Sequence, residues 1–218
     1  DGLGFEAAFP RMIDTIIGCG LAWLGVTYIF PDWKFRRLPH TISRSIEAQC
    51  QYLSEIVKQY QYGRNNSLNY RIVRRAAHNR DADVASLVST LATEPDFDPT
   101  QKTMAFEFLC LSHTFLSYIA ALGAHRDQIH DQDTLKLLDQ ALDDIQGALL
   151  HDQRPELSII NMQQLIRKRM NQTEELASKE LIVLQQLQLI FSILQQLSGL
   201  KQNLSHERDD QSTELASI

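Results

Sequence analysis

Two hydrophobic patterns divide this chain. From Met12 to Phe30 it reads MIDTIIGCGLAWLGVTYIF, uncharged from Thr15 onward, whereas beyond Pro39 apolar residues return every three or four positions among polar ones. The first pattern predicts a membrane-spanning helix. Nineteen residues at about 1.5 Å each cover roughly 28 Å, near the thickness of a bilayer's hydrocarbon core. Gly18, Ala22 and Gly25 recur at i, i+4 and i+7, a face of small residues along which another helix can pack closely. The competing reading is a buried helix of a soluble bundle. It places three glycines inside a core helix, each costing about 1 kcal/mol relative to Ala. The flanks favour the membrane: Tyr28 and Trp33 suit an interfacial belt, and Lys34, Arg36, Arg37 and Arg44 follow. By the positive-inside rule, residues after about 34 are expected in the cytoplasm.

The second pattern predicts six amphipathic helices and no strand. Ile42, Ile46, Cys50, Leu53, Val57 and Tyr60 form the stripe of the first, which Gly63 stops. The second runs from about Ser67 to Thr93 and ends at EPDFDP, whose prolines break it. Thr100 is the expected N-cap of the third, which carries Met104, Phe108, Leu111, Phe115, Tyr118 and Leu122 and closes between His125 and Ile129. The fourth uses Leu135, Leu138, Leu142, Ile145 and Leu149; the fifth, after Pro155, uses Ile159, Met162, Ile166 and Met170. The sixth, from about Leu176 to Leu204, is apolar around more than half its circumference, the mark of a central helix. The expected fold class is all-α: residues 1–38 a transmembrane helix and juxtamembrane segment, 39–204 a helical bundle, and 205–218 a mobile tail.

Composition narrows the function. A formal charge of -6 lacks the clustered Lys and Arg excess that nucleic-acid binding requires. Cys19, Cys50 and Cys110 are odd in number and far apart, so neither a disulfide framework nor a zinc site is indicated. The chain begins at Asp1 without a basic n-region or cleavage site, and is read as a fragment of a longer protein rather than one led by a signal peptide. No GxSxG, HExxH, P-loop or GxGxxG occurs. No catalytic site, metal or cofactor is expected.

Three groups of residues remain as candidates. Arg11 and Asp14 lie three apart at the start of the apolar stretch, where ionisable groups commonly line a transport pathway. Their structural alternative is a local ion pair at the positive end of the helix dipole. In YRIVRRAAHNRDADVASL, Arg71, Arg74, Arg75 and His78 form a basic stripe suited to an anion or to lipid headgroups. The commoner fate of such a run is a solvated face with local pairs, Arg74 or Arg80 to Asp81 or Asp83. In SHTFLSYIAALGAHR, His113 is expected as a hydrogen-bonded core histidine, and Ala120, Ala121, Gly123 and Ala124 as a smooth contact patch, with the two segments packed together.

RMIDTIIGCGLAW, FPDW, YRIVRRAAHNRDAD followed by EPDFDP, and HTFLSYIAALGAHR, in that order, resemble the C-terminal part of the YccS/YhfK family of bacterial inner-membrane proteins. That family lies within the fusaric acid resistance, or aromatic acid exporter, superfamily. The resemblance covers roughly Phe5 to Leu200 and implies an inner-membrane location. It also implies a parent protein with two sets of transmembrane helices, each followed by a helical cytoplasmic region. Its partners would be the remaining transmembrane helices, the bilayer and further copies of itself. The implied activity is proton-driven export of aromatic carboxylic acids, with Arg11 and Asp14 in the translocation region and the bundle bracing or gating the cytoplasmic side. The alternative is a membrane-anchored scaffold for oligomerisation or partner binding.

Overall fold

The computed structural model describes residues 3–25, 37–65, 67–93, 98–125, 127–151, 156–171 and 178–215. Among these the fold is all-helical, with seven helices and no strand: α1 (Leu3–Leu24), α2 (Leu38–Tyr62), α3 (Leu68–Ala92), α4 (Pro99–Ala124), α5 (Gln132–Leu150), α6 (Glu156–Asn171) and α7 (Ser178–Leu215). The chain divides into two compact units, Asp1–Lys34 and Phe35–Ile218.

In the first unit α1 is helical to Leu24 with Pro10 inside it. The expected span of residues 12–30 is thus described only in part. Tyr28, Trp33, Lys34 and Arg36 lie outside the described residues.

The second unit is built around α2 and α7. α2 packs on α3, α4, α5 and α7, while α7 packs on α2, α4, α5 and α6. Ile42, Ile46, Leu53, Ile56 and Tyr60 of α2 and Leu184, Leu187, Ile190, Phe191, Leu194 and Leu197 of α7 are almost wholly removed from solvent. The central place expected of the last helix is therefore shared with α2. Among the described residues the helices long and apolar enough to cross a membrane are Pro99–Ala124 and Lys179–Ser205, and α1, described to residue 25, is not one of them, which corrects the expectation of a single N-terminal segment of this kind. Their apolar residues contribute heavily to the bundle core, and a core helix satisfies the same test of length and composition as a span.

Local chemistry sets the ends. Gly63 closes α2 at φ +92°, where a side chain would be strained, and donates its N–H to the Gln59 carbonyl at 2.9 Å. Ser67 caps α3 by accepting from the Tyr70 N–H. α4 starts two residues before expectation, because Asp98 rather than Thr100 is its N-cap and Pro99 occupies the first turn, where its missing N–H is harmless. The backbone of α7 remains helical to Leu215 through most of the expected tail; an α-helix needs only its own i to i−4 bonds, not an apolar stripe.

Candidate functional site

In α1 the described residues 9–24 are all exposed, Arg11 and Asp14 among them. The apolar ones are uncovered to an extent unusual for a water-soluble helix: Met12 59%, Ile16 64%, Leu21 64% and Trp23 64%. A Cβ built on Gly18 or Gly25 meets nothing within 4 Å, and Ala22 is likewise open. Among the described residues no ion pair joins Arg11 to Asp14. The Arg11 carbonyl accepts from the Thr15 hydroxyl at 2.8 Å.

On α3, Arg71, Arg74, Arg75 and His78 are all exposed. The buried stripe of this helix is Tyr70, Ala77, Asp81, Val84, Val88 and Leu91, which at 3.6 residues per turn lies on a different face from the basic one. His78 leans on the buried Tyr52 ring, centroids 6.4 Å apart.

Asp81 departs from expectation. Arg80 pairs with Asp83 at 3.0 Å, whereas Asp81 lies on the inward stripe and joins a polar cluster across α2, α3 and α4. The Gln49 amide donates to Ser112 Oγ at 3.0 Å, Ser45 Oγ at 3.3 Å and Asp81 Oδ1 at 3.5 Å. Ser112 Oγ donates to Asp81 Oδ1 at 3.5 Å, and His113 Nδ1 lies 2.8 Å from Asp81 Oδ2. Ser45, Gln49 and Ser112 are fully buried, and Gln49 Oε1 is buried without a protein partner. His113 is thus not a core histidine: its side chain is 69% exposed, against 8% for Asp81. The α3 and α4 segments do pack together, with this cluster between them.

Above the cluster, along the same α2–α3 seam, a groove of about 290 Å³ is lined by Arg37, the N-cap of α2, by His40, Thr41 and Arg44 of α2 and by Arg80, Asp83, Ser86, Leu87 and Thr90 of α3. Residues 37, 40, 41 and 44 are i, i+3, i+4 and i+7 of one helix face. In the sequence Arg37 and Arg44 read as the basic flank of the apolar stretch, and the i, i+7 spacing that puts them on one face is the signal for this groove. Arg80 comes from the basic segment, two residues beyond His78, the last residue of its stripe.

The cysteines play no part in either region. Burial pushes the Cys50 thiol up to about 12, against the opposing field of Lys201, so it stays protonated in the core. Cys19 and Cys110 are exposed free thiols. Among the described residues no three His, Cys, Asp or Glu side chains gather into a metal-binding group.

Over 94% of its length the chain is 47% identical to the inner membrane protein YccS of Escherichia coli, of which it spans 29%. It is 33% identical over 91% of its length to an uncharacterised protein of Haemophilus influenzae, spanning 30% of that protein. It is 36% identical over 56% of its length to an uncharacterised protein of Neisseria gonorrhoeae, again spanning 30%. No family model and no solved structure matches the chain.

Proposed function

The chain belongs, over the stretch it shares with its relatives, to the family of the Escherichia coli inner membrane protein YccS, and from that premise we propose that it is the C-terminal part of an inner-membrane exporter of organic acids. In this reading α1 and the apolar residues after it are the last transmembrane helix, and the bundle of α2 to α7 lies in the cytoplasm, where it braces or gates the exit from the cell interior. The observation that carries the membrane assignment is the exposure of Met12, Ile16, Ile17, Leu21 and Trp23 around α1. A helix so apolar and so uncovered needs lipid or other helices around it. Aromatic carboxylic acids are the substrate class implied by the superfamily that the motifs resemble. Arg11 and Asp14, exposed on the same helix, are its candidate transport pair.

Export of a panel of aromatic acids by cells with and without the full-length parent protein tests the activity, and a phosphatase fused after Arg37 tests the topology. The expected results are faster export with the parent and a reporter silent in the periplasm. Equal export, or an active periplasmic reporter, would overturn the respective part.

One observation favours a second reading, a membrane-anchored scaffold. On α6, Leu157, Ile160 and Leu165 are exposed at 78%, 50% and 41%, opposite the buried Ile159, Met162 and Ile166, so this helix is apolar on both sides. Such a helix offers a surface for another copy or partner. Concentration-dependent self-association, lost when Leu157 and Ile160 are changed to Glu, combined with no export, would select this reading.

A further inference from the structure

We propose that the outward face of α3 in one copy of this chain docks on the outward face of α5 in a second copy, with Arg71 and Arg75 meeting Asp139 and Asp143. The placement of the two helices comes first. α2 packs on both. On α2, Tyr52 meets Tyr70 of α3, ring centroids 5.8 Å apart, and Gln61 donates to Oδ1 of Asp139 on α5 at 2.6 Å. Tyr52 and Gln61 are nine positions apart, about two and a half helical turns. They therefore point in opposite directions, and α3 and α5 flank α2 on opposite sides.

The two edges carry opposite charge. From Leu68 to Arg80, α3 has four arginines and no acid. Opposite its buried Tyr70 and Ala77 stand Leu68 and Ile72, 71% and 55% exposed, with Arg71 and Arg75 exposed beside them. Among the described residues neither arginine makes an ion pair. α5 has four aspartates and one lysine, and that lysine, Lys136, lies 4.0 Å from Asp133. Asp139 and Asp143 are exposed on the side away from the buried Leu138, Ala141 and Ile145, and among the described residues no cation pairs with either. Partial desolvation, and then the charge of Asp143, hold the Asp139 carboxyl above its ordinary value. An arriving guanidinium relieves that repulsion.

Spacing and topology select a second copy as the occupant. Arg71 and Arg75 are four positions apart, as are Asp139 and Asp143, so both pairs repeat at about 6 Å along their helices and can face each other two to two. Exposed ion pairs contribute little by themselves; Leu68 and Ile72 on α3, and the exposed Leu150 two turns beyond Asp143 on α5, add apolar contact. A foreign acidic partner would cover α3 and leave α5 bare, whereas a second copy covers both with one kind of contact. Because the two faces differ, the contact is heterologous and joins copies into a ring or a chain. It involves neither α1 nor α6, and so stands apart from export and from the α6 surface.

The full chain, in a neutral detergent, is followed by analytical ultracentrifugation over a series of concentrations and at two salt concentrations. The wild type should associate as concentration rises, less so in high salt. Arg71→Glu with Arg75→Glu, or Asp139→Lys with Asp143→Lys, should each weaken association at least about tenfold. An equimolar mixture of the two variants should associate again, since each altered edge then meets its opposite, and misfolded variants do not produce that recovery. Should a reversal lower the helicity, the single neutral changes Arg75→Gln and Asp143→Asn, both at exposed positions, carry the comparison and should each weaken association several-fold. The proposal is overturned if the wild type stays monomeric, if association is indifferent to both faces, if the mixture of variants of unchanged helicity does not recover, or if association is lost only on changing Leu157 and Ile160 of α6 to Glu.

Discussion

His113 Nδ1 stands 2.8 Å from Oδ2 of Asp81, so an exposed ring on α4 closes over a buried carboxylate on α3. The other oxygen of that carboxylate holds Ser112 and Gln49, and through Gln49 the cluster reaches α2. Three helices are thereby fixed in register by polar contacts at the edge of an apolar core. Buried polar groups of this kind stabilise only while every partner is present.

Removing the acid should therefore cost more than removing the ring. Asp81→Ala removes the acceptor of the buried Ser112 hydroxyl and one of the three acceptors of the Gln49 amide and is expected to destabilise the bundle by about 3 kcal/mol, whereas His113→Ala, at an exposed position, should cost about 1 kcal/mol. Urea denaturation of both variants and their double mutant checks this. Equal costs, or strict additivity, would show that the two groups act independently.

At Gly123, α4 comes close against side chains of α2 and α3. A Cβ there would come within 2.9 Å of Tyr52 Oη and 3.2 Å of both Tyr70 Oη and Ile56 Cδ1. The Tyr52 and Tyr70 hydroxyls are 3.2 Å apart, and both residues are buried. Gly123→Ala gains about 1 kcal/mol of helix propensity but overpacks this contact, for a net loss of about 1–2 kcal/mol. Adding Tyr52→Phe, which removes the nearest atom, should restore part of the loss. A thermal melt of Gly123→Ala above the wild type would contradict the close packing.

Asp131 predicts the acid limb of stability. Its partial burial works to raise its pKa, but the hydrogen bonds it accepts from the Thr134 hydroxyl, from Arg169 and from the Thr134 N–H outweigh this and hold the carboxyl below its ordinary value. Arg169 Nη2 is 2.6 Å away, and the same carboxylate caps α5. A pKa lower in the folded state means that the ionised group stabilises the fold. That stabilisation is complete above the unfolded value of about 3.9 and is lost as pH falls through the folded one. The gap in unfolding free energy between wild type and Asp131→Asn should shrink as pH falls from about 5 to about 2. A gap that stays constant over this range would remove Asp131 from the linkage.

Asp14 carries the transport prediction. It is the only carboxylate between Met12 and Phe30, and export driven by the proton gradient needs a group near the membrane that takes up and releases a proton. Asp14→Asn keeps the size and hydrogen-bonding capacity but cannot titrate. If the full-length parent exports organic acids as proposed, this export should fall at least about tenfold, one charge-assisted contact or more, with protein level and topology unchanged. Wild-type export by the Asn variant at normal abundance would leave Arg11 and Asp14 without a transport role.

The seven helices and most of their ends were legible in the sequence because they rest on local physics. The stripe from Ile42 to Tyr60, the Ser67 cap and the Gly63 stop need no knowledge of what packs against them. The extreme apolarity of Ile16 to Phe30 likewise follows from composition alone. What the sequence left open was direction. Asp81 sits between Arg80 and Asp83, and local charge made a surface pair the natural reading, yet it faces inward because it shares the turn positions of Ala77 and Val84. His113 was expected inside for its apolar neighbours and lies outside because its own face of α4 ends at Ser112. The groove belongs to neither helix by itself. Arg44 and Arg80, 36 positions apart in the chain, line one groove only after α2 and α3 have packed, and a contact between distant segments leaves no periodicity in either of them.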